Sequence, residues 1–129
     1  MDLVITNGTL VTASDSYQAD IGIKAGKVVY IGHNEVTAAL SAAQVIDAAG
    51  KYVLPGVLDV HVHCQLPMAG TVSSDDFANG SKAAACGGVT TIIDYATQAK
   101  GQKLLEAVQA RRAEADGQVA IDYGLHAGI

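Results

Sequence analysis

Three apolar, β-branched runs at residues 57–61, 89–95 and 119–125 recur roughly 30 residues apart, the repeat of a βαβ unit, and this spacing constrains the fold more than any other feature. Each gap holds a segment with helix-start and helix-stop chemistry. Residues 73–86 open on Ser73 and Ser74 as N-cap candidates, carry Asp75 and Asp76 where acids favour the helix dipole, and close on Gly87-Gly88. Residues 102–115 bring Leu104, Leu105, Val108 and Arg112 round at helical spacing before Asp116-Gly117, which predicts that this face lies on a sheet. Crossovers of this length join parallel strands, and the composition of the three runs predicts buried ones.

Before Pro55-Gly56 the texture is different. Short runs at residues 3–5 and 10–12 flank Asn7-Gly8, which predicts a tight hairpin. A second hairpin is expected between residues 19–24 and 27–31 about Ala25-Gly26. Residues 34–43 are Ala-rich and predict a short helix; strands are expected at 45–47 and, after Ala49-Gly50, at 52–54. The expected division is therefore residues 1–54, a sheet that needs an opposing layer, and residues 55–129, a βαβαβ series. Residue 129 falls directly after the third strand, so the sequence reads as part of a longer chain.

Composition removes several functions. Half the residues are hydrophobic and 16% are charged, the reverse of a disordered chain. A net charge of -5, with no cluster of Lys or Arg, excludes binding to a phosphate backbone, so no nucleic acid partner is expected. The N-terminus has no basic segment ahead of an apolar one, and no apolar run approaches the roughly 20 residues that span a bilayer, so neither export nor a membrane partner is expected. Cys64 and Cys86 make no disulfide framework, which suits a reducing compartment and a cytoplasmic location.

The leading chemical feature is Asp59-Val60-His61-Val62-His63, at the end of the first strand of the series. Residues two apart on a strand share a face, so His61 and His63 project together as a chelating pair, with Val60 and Val62 packing the other way. Neutral imidazole is a good zinc ligand, and Asp59 is a candidate to fix a ring tautomer. The C-terminal ends of parallel strands are also where barrels and open α/β folds place their sites. Without that context, a His-x-His pair reads as two satisfied histidines. Asp94 reads as a loop cap at the end of the second strand, and His126 as packing or loop anchoring at the end of the third. His33 is given no role. Cys64 would need a bend to share a metal with His63, Cys86 reads as buried filler, and Lys82, Arg111 and Arg112 read as solvated helix charges. There is no phosphate loop before a helix start and no Gly-x-Ser-x-Gly elbow.

Residues 54–63, Leu-Pro-Gly-Val-Leu-Asp-Val-His-Val-His, resemble the dihydropyrimidinase and hydantoinase group of the cyclic amidohydrolases. The likeness extends over the chain: residues 2–11 resemble the group's opening β-sandwich strands, residues 70–77 and 83–94 its first barrel helix and second strand, and residues 122–126 its third strand. The resemblance implies an α/β fold, the first three strands of a (β/α)₈ TIM barrel preceded by part of a small β-sandwich. It also implies two zinc ions bridged by a carboxylated lysine, with His61 and His63 on the more buried ion, and a bridging hydroxide that opens the cyclic amide of a dihydropyrimidine or hydantoin substrate. The implied assembly is a homotetramer. The lysine, the further histidines and the general-base aspartate would lie beyond residue 129, so these 129 residues alone are expected to be inactive. Residues 64–68 lack the acidic residue that hydantoinases usually carry after the pair. Allantoinase and dihydroorotase share Asp-x-His-x-His and are the alternative enzymes. A non-catalytic assembly relative is a further alternative, against which both histidines speak.

Overall fold

The computed structural model describes residues 1–33 and 41–128, which form two units, Met1–Pro55 and Gly56–Ile129. The helix expected over 34–43 falls largely on residues 34–40, outside the described residues.

The first unit contains β1 (Leu3–Val11), β2 (Ser16–Lys24), β3 (Lys27–Gly32), β4 (Gln44–Asp47) and β5 (Tyr52–Val53). The sheet runs β3-β2-β1-β4, and β5 pairs further along β1. β1 is antiparallel to β2 but parallel to β4 and β5, so the sheet is mixed. Leu10, Ala19 and Ile21 form its buried cluster, with Ile5, Ile23 and Val53 against them.

The second hairpin forms where expected, with Ala25 at φ 51° and Gly26 at φ 71°, the pair of positive φ values that matches strand twist. The first does not. β1 runs unbroken through Asn7-Gly8, and the register against β2 shifts between Ile5 and Gly8. Asn7 takes φ 62°, but the turn chemistry makes a bulge rather than a reversal. Tertiary partners hold it there: the Asn7 N–H donates to buried Asp20 at 2.8 Å, and its side-chain amide donates to Asp47 at 2.9 Å.

The second unit contains β6 (Val57–Val62), β7 (Pro67–Met68), β8 (Thr71–Val72), α1 (Phe77–Cys86), β9 (Val89–Thr97), α2 (Leu104–Ala115) and β10 (Asp122–Gly128). β6, β9 and β10 form a parallel sheet in the order β10-β9-β6, and β7 and β8 make a small antiparallel hairpin after β6. The chain is thus of mixed α/β class with many strands. Along β9 the inward residues are Ile92, Asp94 and Ala96, and the core gathers Cys64, Phe77, Ile92 and Ala115.

Several local expectations are revised. α1 is capped by Asp76, whose carboxylate accepts the Asn79 N–H at 2.6 Å. Ser73 instead ties the β7–β8 loop, accepting the Leu66 N–H at 2.8 Å and donating to the His63 carbonyl at 3.1 Å. The face of α2 on the sheet is Ala107, Arg111 and Ala115; Leu105 and Arg112 point to water. Alanine at i and i+8 lets helix and sheet approach closely, and an ion pair draws Arg111 inward between them. β6 is not a buried strand, for it lies at the edge of the sheet, with Val57, Leu58 and Val60 more than half exposed.

Candidate metal centre

β6 approaches its end through a bulge. Asp59 pairs with Ile92 and Val62 with Asp94, so three residue steps on β6 match two on β9. Bulges re-aim side chains, and this one spans Val60 and His61, the first of the histidine pair. Val62 turns into the core while Val60 is 53% exposed, so only one of the two valines packs away from the imidazoles.

The imidazoles converge. His61 Nε2 and His63 Nε2 stand 3.2 Å apart, with ring centroids separated by 5.1 Å. Two nitrogens each about 2.0–2.1 Å from a tetrahedral cation are about 3.3 Å apart, so the separation matches that of two ligands on one zinc ion. Such a pair would supply two of the four ligands a tetrahedral zinc needs. Among the described residues no group of three or more His, Cys, Asp or Glu converges.

Three strands contribute to the surroundings. Tyr95 of β9 brings its hydroxyl within 3.3 Å of His61 Nδ1 and its ring within 4.6 Å of His61 and 5.2 Å of His63. His126 of β10 stacks 4.9 Å from Tyr95 and places Nε2 3.1 Å from the Val60 carbonyl. Asp59 does not touch a ring. It accepts the His61 backbone N–H at 3.2 Å and lines a cavity of about 290 Å³ with Val62, His63, Cys64, Asp75 and Ile92.

Beneath the pair lies a buried polar cluster. Asp94 is fully buried within β9, not a loop cap, and accepts from Arg111 at 3.0 and 2.8 Å and from the Cys64 N–H at 2.8 Å. Arg111 also donates to the Cys64 carbonyl, pairs with Glu114 at 2.6 Å and lies 4.6 Å over the Phe77 ring. Cys64, the residue after His63, is therefore clamped at both its N–H and its carbonyl. Burial, and next the Asp94 charge, push its thiol up to about 11, with Arg111 partly opposing them. Cys86 is exposed rather than buried. His33 is remote in sequence, and its carbonyl accepts from the Tyr30 hydroxyl at 3.4 Å.

Tyr95 and Arg111 were not legible as site residues. Tyr95 had one available signal, since strand alternation puts it on the same face of β9 as Thr91 and Ile93, and the ladder sets it level with His126. Arg111 had none, because its neighbour Arg112 is equally charged and solvated.

A parallel βαβαβ unit whose first strand ends in two converging histidines defines an α/β chain with a candidate site at its strand ends. Comparison with known proteins narrows this. The family model described as urease alpha-subunit, N-terminal domain, matches residues 1–52. D-hydantoinase of Geobacillus stearothermophilus is 48% identical over 126 residues, covering 98% of this chain and 26% of the relative. Dihydropyrimidinase of Rattus norvegicus is 41% identical, covering 98% and 25%. The solved structure of dihydropyrimidinase from Brevibacillus agri superposes with a TM-score of 0.91 at 48% identity, covering 98% of this chain and 27% of that one. Over nearly all of its length the chain is thus similar to part of the D-hydantoinases and dihydropyrimidinases, and it spans about a quarter of the length of the curated relatives it matches.

Proposed function

We propose that this chain is the N-terminal, metal-binding segment of a zinc-dependent cyclic amidohydrolase acting on dihydropyrimidines or hydantoins. In this reading residues 55–129 open a (β/α)₈ barrel, residues 1–54 contribute to a small β-sandwich, and His61 and His63 hold one zinc ion. The observation that carries it is the 3.2 Å separation of the two Nε2 atoms at the C-terminal end of a parallel strand, in a chain 48% identical to a D-hydantoinase.

His61 and His63 would hold the zinc, which would supply Lewis-acid polarisation of the amide carbonyl and a lowered pKa for bound water. The chain's own part is to hold the two imidazole Nε2 atoms 3.2 Å apart at the end of a strand fixed by Asp94 and Arg111. Two ligands presented by one rigid segment lose little freedom on binding. The remaining ligands and the base come from chain beyond these residues, and the whole enzyme is a cytoplasmic homo-oligomer.

The test is metal content and hydrolysis by the full-length protein. Dihydrouracil and hydantoin are expected to be opened, and allantoin and dihydroorotate left intact; the reverse selectivity would assign a sibling enzyme. His61→Ala is expected to lose zinc and turnover together. An active, fully metallated His61→Ala protein would show that the pair is structural.

A further inference from the structure

We propose that Tyr95 and His126 are positioning residues for the metal-binding pair: Tyr95 holds His61 in the tautomer that leaves Nε2 free, and His126 pins the bulged backbone that aims the ring. The inference rests on reading His61 and His63 as zinc ligands.

An imidazole that coordinates through Nε2 must carry its proton on Nδ1, and that N–H is commonly given to an outer acceptor that fixes the ring. The acceptor expected from the sequence, Asp59, instead takes the His61 backbone N–H. The atom that faces His61 Nδ1 is the Tyr95 hydroxyl oxygen, 3.3 Å away, and with the proton on Nδ1 that N–H donates a hydrogen bond to it. The Tyr95 ring lies against both imidazoles, so the phenol that accepts this hydrogen bond also limits rotation of the two rings.

His126 acts one residue upstream. The unmatched step between Asp59 and Val62 takes β6 out of regular register with β9, where a carbonyl needs a partner outside the ladder. His126 Nε2 is 3.1 Å from the Val60 carbonyl. A carbonyl only accepts, so the His126 proton sits on Nε2 and is donated to Val60. The backbone immediately before His61 is thereby tied to β10, and the His126 ring backs Tyr95 at 4.9 Å. Side chains from β9 and β10 thus hold a ring on β6 from two directions.

The experiment measures zinc affinity of the full-length protein by chelator competition for the parent, Tyr95→Phe, His126→Ala, His126→Gln and His61→Ala, with the visible spectrum of each cobalt-substituted form. Tyr95→Phe keeps the ring and removes only the acceptor, and it is expected to weaken zinc about 10–100-fold, the usual cost of losing an outer-shell partner. His126→Ala is expected to weaken zinc within that range too, and His126→Gln, which retains a side-chain N–H for the Val60 carbonyl, to recover most of the loss. The cobalt spectra of Tyr95→Phe and His126→Ala are expected to shift, because the ligand ring is reoriented. If both variants bind zinc within about twofold of the parent, well short of the usual outer-shell cost, this inference is wrong and the ligand assignment stands. If the parent binds no zinc, or His61→Ala binds it as tightly, both readings fall.

Discussion

Replacing Arg111 with methionine keeps most of the stem volume and removes the countercharge of a carboxylate that has no access to water. In the parent, Asp94 is 0% exposed and accepts two bonds from Arg111, one from the Cys64 N–H and one from the Tyr95 N–H. The variant leaves two backbone donors and an unpaired buried charge, and breaking a buried pair from one side costs about 3–5 kcal/mol. The lost position over the Phe77 ring adds about 0.5–1 kcal/mol. The pair with Glu114 is partly exposed and adds little. Amide exchange read on β9 isolates this unit from the first sheet, and there the opening constant is expected to rise by about two and a half to four and a half powers of ten. The double variant Asp94→Asn/Arg111→Met is expected to be more stable than Arg111→Met, since the orphaned charge is gone, with a non-additivity of about 1–3 kcal/mol. A change of less than about tenfold in Arg111→Met, or strict additivity in the double variant, would refute the idea that this pair holds the unit together.

Cys64 imposes an alkaline limit. Its thiol rises from 9.0 to about 11 in the fold, so the neutral form is favoured there; the stability this lends is complete below pH 9 and lost between about 9 and about 11. Subtracting denaturation midpoints of Cys64→Ala from those of the parent across that range is expected to show the fall, and a flat difference would contradict it. Near neutral pH an alkylating reagent is expected to modify exposed Cys86 well before Cys64, as peptide mass mapping would report. Gly56→Ala is expected to cost about 1–3 kcal/mol in chemical denaturation, because its Cβ would collide with the Cβ, Oγ1 and Cγ2 of Thr90 and backbone must move to admit it. At Asn7, with φ 62°, glycine is expected to be tolerated better than valine by about 1–3 kcal/mol in the same assay.

The parallel β6–β9–β10 series could be read from spacing and cap chemistry, because those signals are local and each connection is short. So could the convergence of His61 and His63, which follows from strand alternation alone. What escaped the reading depends on partners distant in sequence. Asn7-Gly8 carries the same turn signal whether the chain reverses or bulges, and Asp20 and Asp47 decide the matter from 13 and 40 residues away. Leu104 and Leu105 outweigh two alanines and an arginine in any apolar pattern, yet the small residues face the sheet and Arg111 follows them to Asp94, 17 residues back. Asp59, the ring partner expected from the sequence, accepts the His61 backbone N–H instead, while Tyr95 stands at His61 Nδ1, and alternation gives no warning of the bulge between Asp59 and Val62.

The clamp on Cys64 makes α2 a lever. Its fulcrum is Asp94, and its short arm is the single peptide step from the clamped residue to His63. A substitution along the helix that tips Arg111 would bear on the residue next to His63 through that clamp. On the proposed ligand assignment, tuning of metal affinity is open to positions on α2 that never meet the ion.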